Sequence, residues 1–380
     1  MWPGHLGETA TPPEHPPDSN AQRLLVFLEA QGKEHARHQE AWGAGQEEAS
    51  RDPPRPLEAP NPAPLAPSVR TPAAGHTPRL RERAPIGLVN QGATCYLNSI
   101  LQCLFFTPEF RKAVLELELP AAQPALCRDH GESSLVTQLQ RLFLDLQDAQ
   151  APVTTRAITR CLGLRNVYEQ QDVLECFQTL LTRMAVEKVE LRQAFQMLTE
   201  RVIQCQVCKD ETRLEEARLF LMVTVLPGPE ESVCSVAEAV QALFRKEQVT
   251  GDNQYFCEMC DRKEDASSEL CLRALPSVLV IFLERFTFYR GAFWKLKNKV
   301  TVSEKLILPF PEKNCYNLFA VCHHFGDLTG GHYVADIMSF EKRCWYRFSD
   351  DHVEEIQPGP SESSTAYLLM YRRESLGPTT

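Results

Sequence analysis

The chain has 380 residues, 43% of them apolar and 24% charged, with a formal net charge of -10, enough to bury a core as one large domain or two ordinary ones. The acidic balance argues against a general nucleic-acid surface and suits a partner with a basic face or tail. No apolar run approaches the roughly 20 residues of a membrane span, and "LLVFL" at Leu24 to Leu28 follows an acidic, Pro-rich stretch unlike a signal peptide.

A reducing compartment is therefore expected: the cytoplasm, with the nucleus as a second location. In a long chain without an export signal, the 14 cysteines point to metal binding or catalysis rather than disulfides. Residues 1–84 hold most of the prolines, as in "ATPPEHPPDS". Such a segment buries too little apolar surface to offset its ordering entropy and reads as disordered. Within it, "AQRLLVFLEAQGKEHARHQEAW" carries a helical apolar pattern, read as a transient or docking helix.

From Ile86 the composition becomes that of a folded domain, assigned to residues 85–373 with a short tail at 374–380. Up to about Met197 the periodicity is helical. Leu97, Leu101 and Leu104 share one face, and "SSLVTQLQRLFLDLQ" repeats apolar residues at three and four. Beyond Arg201 the runs are short, β-branched or aromatic: "SVLVIFLERFTFY", "NLFAVCHHFG", "GGHYVADIM" and "TAYLLMYRR". Helices first and strands later is the order of an α+β domain.

Cys95 stands in "GATCYLNSILQ", where a small-residue turn feeds a helix. At that end, unpaired N–H groups and the helix dipole favour a thiolate, and Thr94 or the turn before it can cap. Cysteine is also among the most buried residue types, and Cys103 in the same helix reads as core. Two Cys-x-x-Cys knuckles, Cys205/Cys208 and Cys257/Cys260, have the ligand set of a closed, structural zinc ribbon. No open ligand position marks them as catalytic.

His332 follows Gly330 and Gly331 at a strand start, a place from which its ring can enter a cleft. His323 and His324 must point to opposite strand faces, so at least one is solvated or bonded in the core. Ser349, Asp350 and Asp351 follow an aromatic run and offer a group to orient an imidazole; a solvated turn is the plainer reading of the aspartates.

Together these stretches resemble the ubiquitin-specific protease family of deubiquitinating cysteine proteases. "GLVNQGATCYLNSILQCLF" is similar to its Cys box, "EQQDVLECF" to its Gln-Gln-Asp box, and "GGHYVADI" with "WYRFSDDHV" to its His box. The resemblance implies a papain-like thumb, palm and fingers. It implies Cys95 as nucleophile, His332 as general base and Asn90 as oxyanion donor, with Ser349 and then Asp350 orienting His332. The family usually has Asn or Asp where Ser349 stands, which implies a slower enzyme.

Cys205, Cys208, Cys257 and Cys260 would hold structural zinc, with no catalytic cofactor. Asp172 and Glu175 would hold the arginines of ubiquitin's tail, Gly330 and Gly331 would leave room for its Gly-Gly end, and Gln170, Gln171 and Tyr333 also match the family. Glu284 departs from the usual basic residue. The implied activity is deubiquitination by a monomer, with ubiquitin or a ubiquitin-like modifier as partner and neither nucleic acid nor membrane. An interferon-induced modifier as substrate and a catalytically weak ubiquitin-binding scaffold are the alternatives.

Overall fold

The computed structural model describes residues 84–118, 134–225, 233–289, 292–309, 313–327, 330–358 and 361–374. The readings made on residues 1–83 and 375–380 lie outside them. The chain divides into two units, the smaller comprising, among described residues, Gln204–Glu211 and Glu247–Ser268.

The larger unit begins with the two-residue strand β1 (Leu88–Val89), then helices α1 (Cys95–Phe105), α2 (Pro108–Leu115) and α3 (Leu135–Asp148). Strand β2 (Val153–Thr154) pairs in parallel with β1, and α4 (Arg156–Cys161) and α5 (Val173–Glu187) follow. Every residue of α1 is buried, so the expected apolar face is only part of a helix that runs through the core. Helix α3 begins where Ser134 Oγ accepts from the Thr137 N–H at 3.1 Å, satisfying one of the unpaired donors of its first turn.

Strands take over as expected: β3 (Met197–Cys205), β4 (Glu211–Arg218), β5 (Leu221–Thr224), β6 (Glu247–Val249), β7 (Tyr255–Cys257), β8 (Arg262–Glu264), β9 (Ala266–Ala274) and β10 (Val278–Glu284). There follow β11 (Phe286–Tyr289), β12 (Ala292–Lys295), β13 (Lys305–Pro309), β14 (Lys313–Gly326), β15 (Gly331–Ser339), β16 (Cys344–Ser349), β17 (His352–Ile356) and β18 (Ala366–Arg373). The main sheet has the order β17-β16-β15-β14-β18-β10-β5, with β13 on β14. It is antiparallel except where β10 meets β5.

Strand β10 is a nearly continuous apolar run because both its faces are covered. Val278, Val280 and Phe282 pack into the core that contains α1, α3 and α5. Leu279, Ile281 and Leu283 belong to a second core on the other face. Glu284, the unexplained departure, accepts from the hydroxyl of Thr224, its register partner, at 2.5 Å.

Arg285 next to it is fully buried. It donates to four carbonyl oxygens, those of Ala366, Leu296, Asn298 and Ser363, at 2.5–3.1 Å. Burial holds its pKa down at about 10, which leaves it charged at neutral pH. Arg285→Met is expected to cost about 3–5 kcal/mol of stability, because one change leaves four acceptors unpaired; urea unfolding of the full chain checks it.

In the smaller unit the first residues of β9 pair with β6, and β7 and β8 form a hairpin. Each knuckle is closed by a residue of positive φ four places after its first cysteine, Lys209 (65°) and Asp261 (53°).

Candidate active site

Three segments meet around Cys95. Its own loop, Asn90–Thr94, is wound about one amide: Asn90 Oδ1 accepts from the N–H of Gly92 at 2.9 Å, the N–H of Thr94 at 3.1 Å and the Thr94 hydroxyl at 3.2 Å. Thr94 precedes α1 but makes no side-chain cap. Its hydroxyl is spent inside the loop, where it also accepts from the Gln91 N–H at 3.0 Å. Of the two expected caps, Thr94 or the turn before it, the Thr94 side chain is excluded by this inward turn.

Cys95 is 3% exposed. Burial pushes its thiol above the ordinary value, a donated hydrogen bond from the Tyr333 N–H opposes that, and the charge of Asp350 adds to it. The expected thiolate-favouring effect of the helix start is therefore outweighed by desolvation. Tyr333 N lies 3.5 Å from the sulfur, which joins the Cys95 loop to the strand that carries His332.

His332 is the second residue of β15, and its Nε2 is 2.9 Å from Ser349 Oγ at the end of β16. That leaves Nδ1 as the ring nitrogen for exchange with a thiol. Asp350 does not share this task. Its carboxylate accepts from Asn90 Nδ2 and from Asn98 Nδ2, each at 2.8 Å. The pairing of Asp350 with His332 is thus corrected, because the tight turn, with Asp350 at φ 53°, carries the carboxylate toward α1 instead. Asn98, only 2% exposed, went unnoticed in the sequence; an asparagine within a mostly apolar helical run was the available signal.

The Gln-Gln-Asp segment crosses to the same place. Asp172 immediately precedes α5 and Glu175 stands in that helix's first turn. Asp172 is the N-cap, with Oδ1 accepting from the Leu174 N–H and Oδ2 from the Tyr367 hydroxyl, both at 2.7 Å. Burial raises its pKa, and those hydrogen bonds partly offset the rise. Glu175 is exposed. Gln170 Oε1 accepts from the Gly331 N–H at 2.6 Å.

At Gly331 the glycine requirement comes from within the fold. A Cβ there would lie 2.0 Å from the Phe325 carbonyl oxygen and 2.6 Å from His324 Nε2, whereas one at Gly330 would meet nothing nearer than Gln170 at 3.8 Å. His323 bonds to Thr365 at 3.0 Å and pairs with Asp336 at 3.2 Å, while His324 meets Lys295 at 2.9 Å, so both are held by the protein as their alternation requires. Cys103 lies in the core, 3.5 Å from the sulfur of Cys322.

In the smaller unit Cys205, Cys208, Cys257 and Cys260 bring their sulfurs within 4.8 Å of one another. Four sulfurs about 2.3 Å from one tetrahedral ion stand about 3.8 Å apart, so this donor set fits a metal of thiolate preference.

Residues 86–371 match the family model described as "Ubiquitin carboxyl-terminal hydrolase". Similar chains include ubiquitin carboxyl-terminal hydrolase 47 of Xenopus tropicalis, 29% identical over 76% of this chain and 28% of the relative. Ubiquitin carboxyl-terminal hydrolase 26 of Arabidopsis thaliana is 30% identical over 75% of this chain and 27% of its own length. Ubiquitin carboxyl-terminal hydrolase 15 of Schizosaccharomyces pombe is 31% identical over 72% and 25%. The chain spans about a quarter of the length of these relatives. With the family model covering Ile86 to Tyr371, the chain belongs to the ubiquitin carboxyl-terminal hydrolase family.

Proposed function

We propose that the protein is a thiol-dependent deubiquitinase that cleaves the isopeptide or peptide bond after the C-terminal glycine of ubiquitin. The observation that carries this reading is the convergence of Cys95, His332 and Asn90, with Tyr333 N–H on the sulfur and Ser349 Oγ on His332 Nε2. Cys95 gives its proton to His332 and attacks the carbonyl carbon of the terminal glycine. The oxyanion is stabilised by the Asn90 Nδ2 hydrogen not given to Asp350 and by backbone N–H groups. His332 protonates the departing amine, and water, deprotonated by the same ring, hydrolyses the thioester to free the modifier and the thiol.

Ser349 keeps the His332 ring oriented but brings no charge to stabilise the imidazolium, which supports a modest rate. Zinc on Cys205, Cys208, Cys257 and Cys260 would be structural, closing the two knuckles on one centre. The acidic chain suits a basic partner surface, and a monomer in the cytoplasm, with the nucleus as second location, is the accompanying proposal.

Full-length protein mixed with ubiquitin bearing a C-terminal electrophile is expected to form one covalent adduct, seen by mass spectrometry, and Cys95→Ala is expected to form none. An adduct that survives Cys95→Ala, or no adduct from the folded native chain, overturns the reading. The interferon-induced modifier with the same warhead, run alongside, reports which of the two is preferred.

A further inference from the structure

Two threonines around the site stand immediately before helices, and the side chain of neither caps. Thr94 spends its hydroxyl inside the Cys95 loop, and Thr155, ahead of α4, makes no side-chain cap either. Thr155 is fully buried. It follows β2, which pairs with β1 just before Asn90, and its hydroxyl meets two amides. It accepts from Gln91 Nε2 at 2.9 Å and donates to Asn98 Oδ1 at 3.4 Å.

The direction of each of these bonds is fixed by its neighbour. The Thr159 hydroxyl, in α4, donates to Gln91 Oε1 at 3.2 Å and shares that proton with the Arg156 carbonyl oxygen at 3.0 Å. This sets the Gln91 amide with its nitrogen toward Thr155. Because Gln91 supplies a proton to Thr155 Oγ1, the threonine's own proton goes to Asn98 Oδ1. Asn98 then presents Nδ2 to Asp350 Oδ1 at 2.8 Å and to the Leu88 carbonyl oxygen at 3.4 Å. The other oxygen of Asp350 takes one hydrogen of Asn90 Nδ2. The second hydrogen of that amide is the proposed oxyanion donor.

We infer that Thr155 is a positioning residue for the oxyanion donor, its hydroxyl fixing the Asn90 amide from two sides: through the adjacent Gln91 side chain, and through Asn98 and Asp350. The inference rests on the proposed function. Thr155 touches no reacting atom. A carboxamide nitrogen only donates and its oxygen only accepts, so a hydroxyl, which does both, lets two amides converge on one buried atom. Valine has nearly the same shape and does neither, leaving Gln91 Nε2 without its acceptor and Asn98 Oδ1 without its donor.

The test uses the full chain and ubiquitin carrying a C-terminal aminocoumarin. Thr155→Val is expected to lower kcat about tenfold, short of the roughly 10²–10³ that follows outright loss of an oxyanion donor. KM is expected to stay within about twofold of wild type, as for an interaction made only in the transition state. Thr155→Ser keeps the hydroxyl and is expected to recover kcat to within about threefold of wild type. Alkylation of Cys95 by iodoacetamide builds no oxyanion, and its rate is expected to be unchanged in both variants. Gln91→Met removes one of the two amides from a half-buried position and is expected to lower kcat about threefold at unchanged KM.

A folded Thr155→Val enzyme with wild-type kcat overturns the inference. So does a loss carried by KM, a kcat that serine fails to recover, or alkylation slowed in step with kcat, each of which assigns Thr155 to packing alone. Should valine unfold the chain, wild-type kcat in Gln91→Met overturns it. A wild-type chain that does not hydrolyse the conjugate overturns the functional reading itself, and this inference with it.

Discussion

Asp350→Asn is expected to lower kcat/KM by about 10²-fold, against about tenfold for Ser349→Ala, although Ser349 is the residue on the His332 ring. The Asp350 carboxylate holds two amides at once, Asn90 Nδ2 and Asn98 Nδ2 at 2.8 Å each. Asparagine tolerates the left-handed backbone at this position but keeps one carbonyl oxygen, so one of the two amides loses its acceptor. Asn90 would then be fixed only through Oδ1, and a misplaced oxyanion donor costs about 10²–10³ in kcat. Ser349→Ala removes one neutral hydrogen bond, worth about 1 kcal/mol.

The pH profile separates this role from a merely structural one. The negative charge of Asp350 helps hold the Cys95 pKa up. Neutralising it stabilises the thiolate relative to the thiol, so the acid limb of kcat/KM governed by Cys95 moves to lower pH while the plateau falls. Steady-state rates from pH 5 to 10 check both parts. A Ser349→Ala variant more damaged than Asp350→Asn, or an acid limb moved upward, contradicts the assignment.

Stripping metal from the four-cysteine centre is expected to unfold the smaller unit. Cys205 and Cys208 come from one turn, Cys257 and Cys260 from another, and few apolar side chains lie between. Val207, Phe256 and Met259 all face solvent. Thiolate–zinc binding contributes roughly 10–16 kcal/mol in isolated zinc modules, so a zinc ion on these four thiolates would be the dominant stabilising contact in so small a unit. Hydrogen exchange after treatment with a strong chelator is expected to show lost protection across residues 204–211 and 247–268, with β10, β14 and β18 still protected. Equal protection before and after complete removal of zinc, verified by elemental analysis, would sink this expectation.

Much of the site was legible because its chemistry is local. A cysteine at the turn into a helix, a histidine after two glycines and two Cys-x-x-Cys knuckles each declare a geometry within a few residues. The change from helical to alternating periodicity near Met197 marks the strand half for the same reason: it records which faces are buried. Glu284 had no account in the sequence because its partner, Thr224, sits on a neighbouring strand.

What the sequence by itself determined is the order of elements, from its periodicity, and the candidate four-cysteine centre, from its spacing; Cys95 as candidate nucleophile and His332 as candidate base rest on the resemblance of the boxes around them to a known family. Only the tertiary structure decided what each polar group binds. It turned Asp350 to Asn90 across 260 residues, tied Asp172 to Tyr367 across 195, and crowded Gly331 with Phe325 and His324 across a hairpin. A carboxylate or imidazole takes its role from the groups that desolvate and pair with it, and strand register and packing bring those groups from distant parts of the chain.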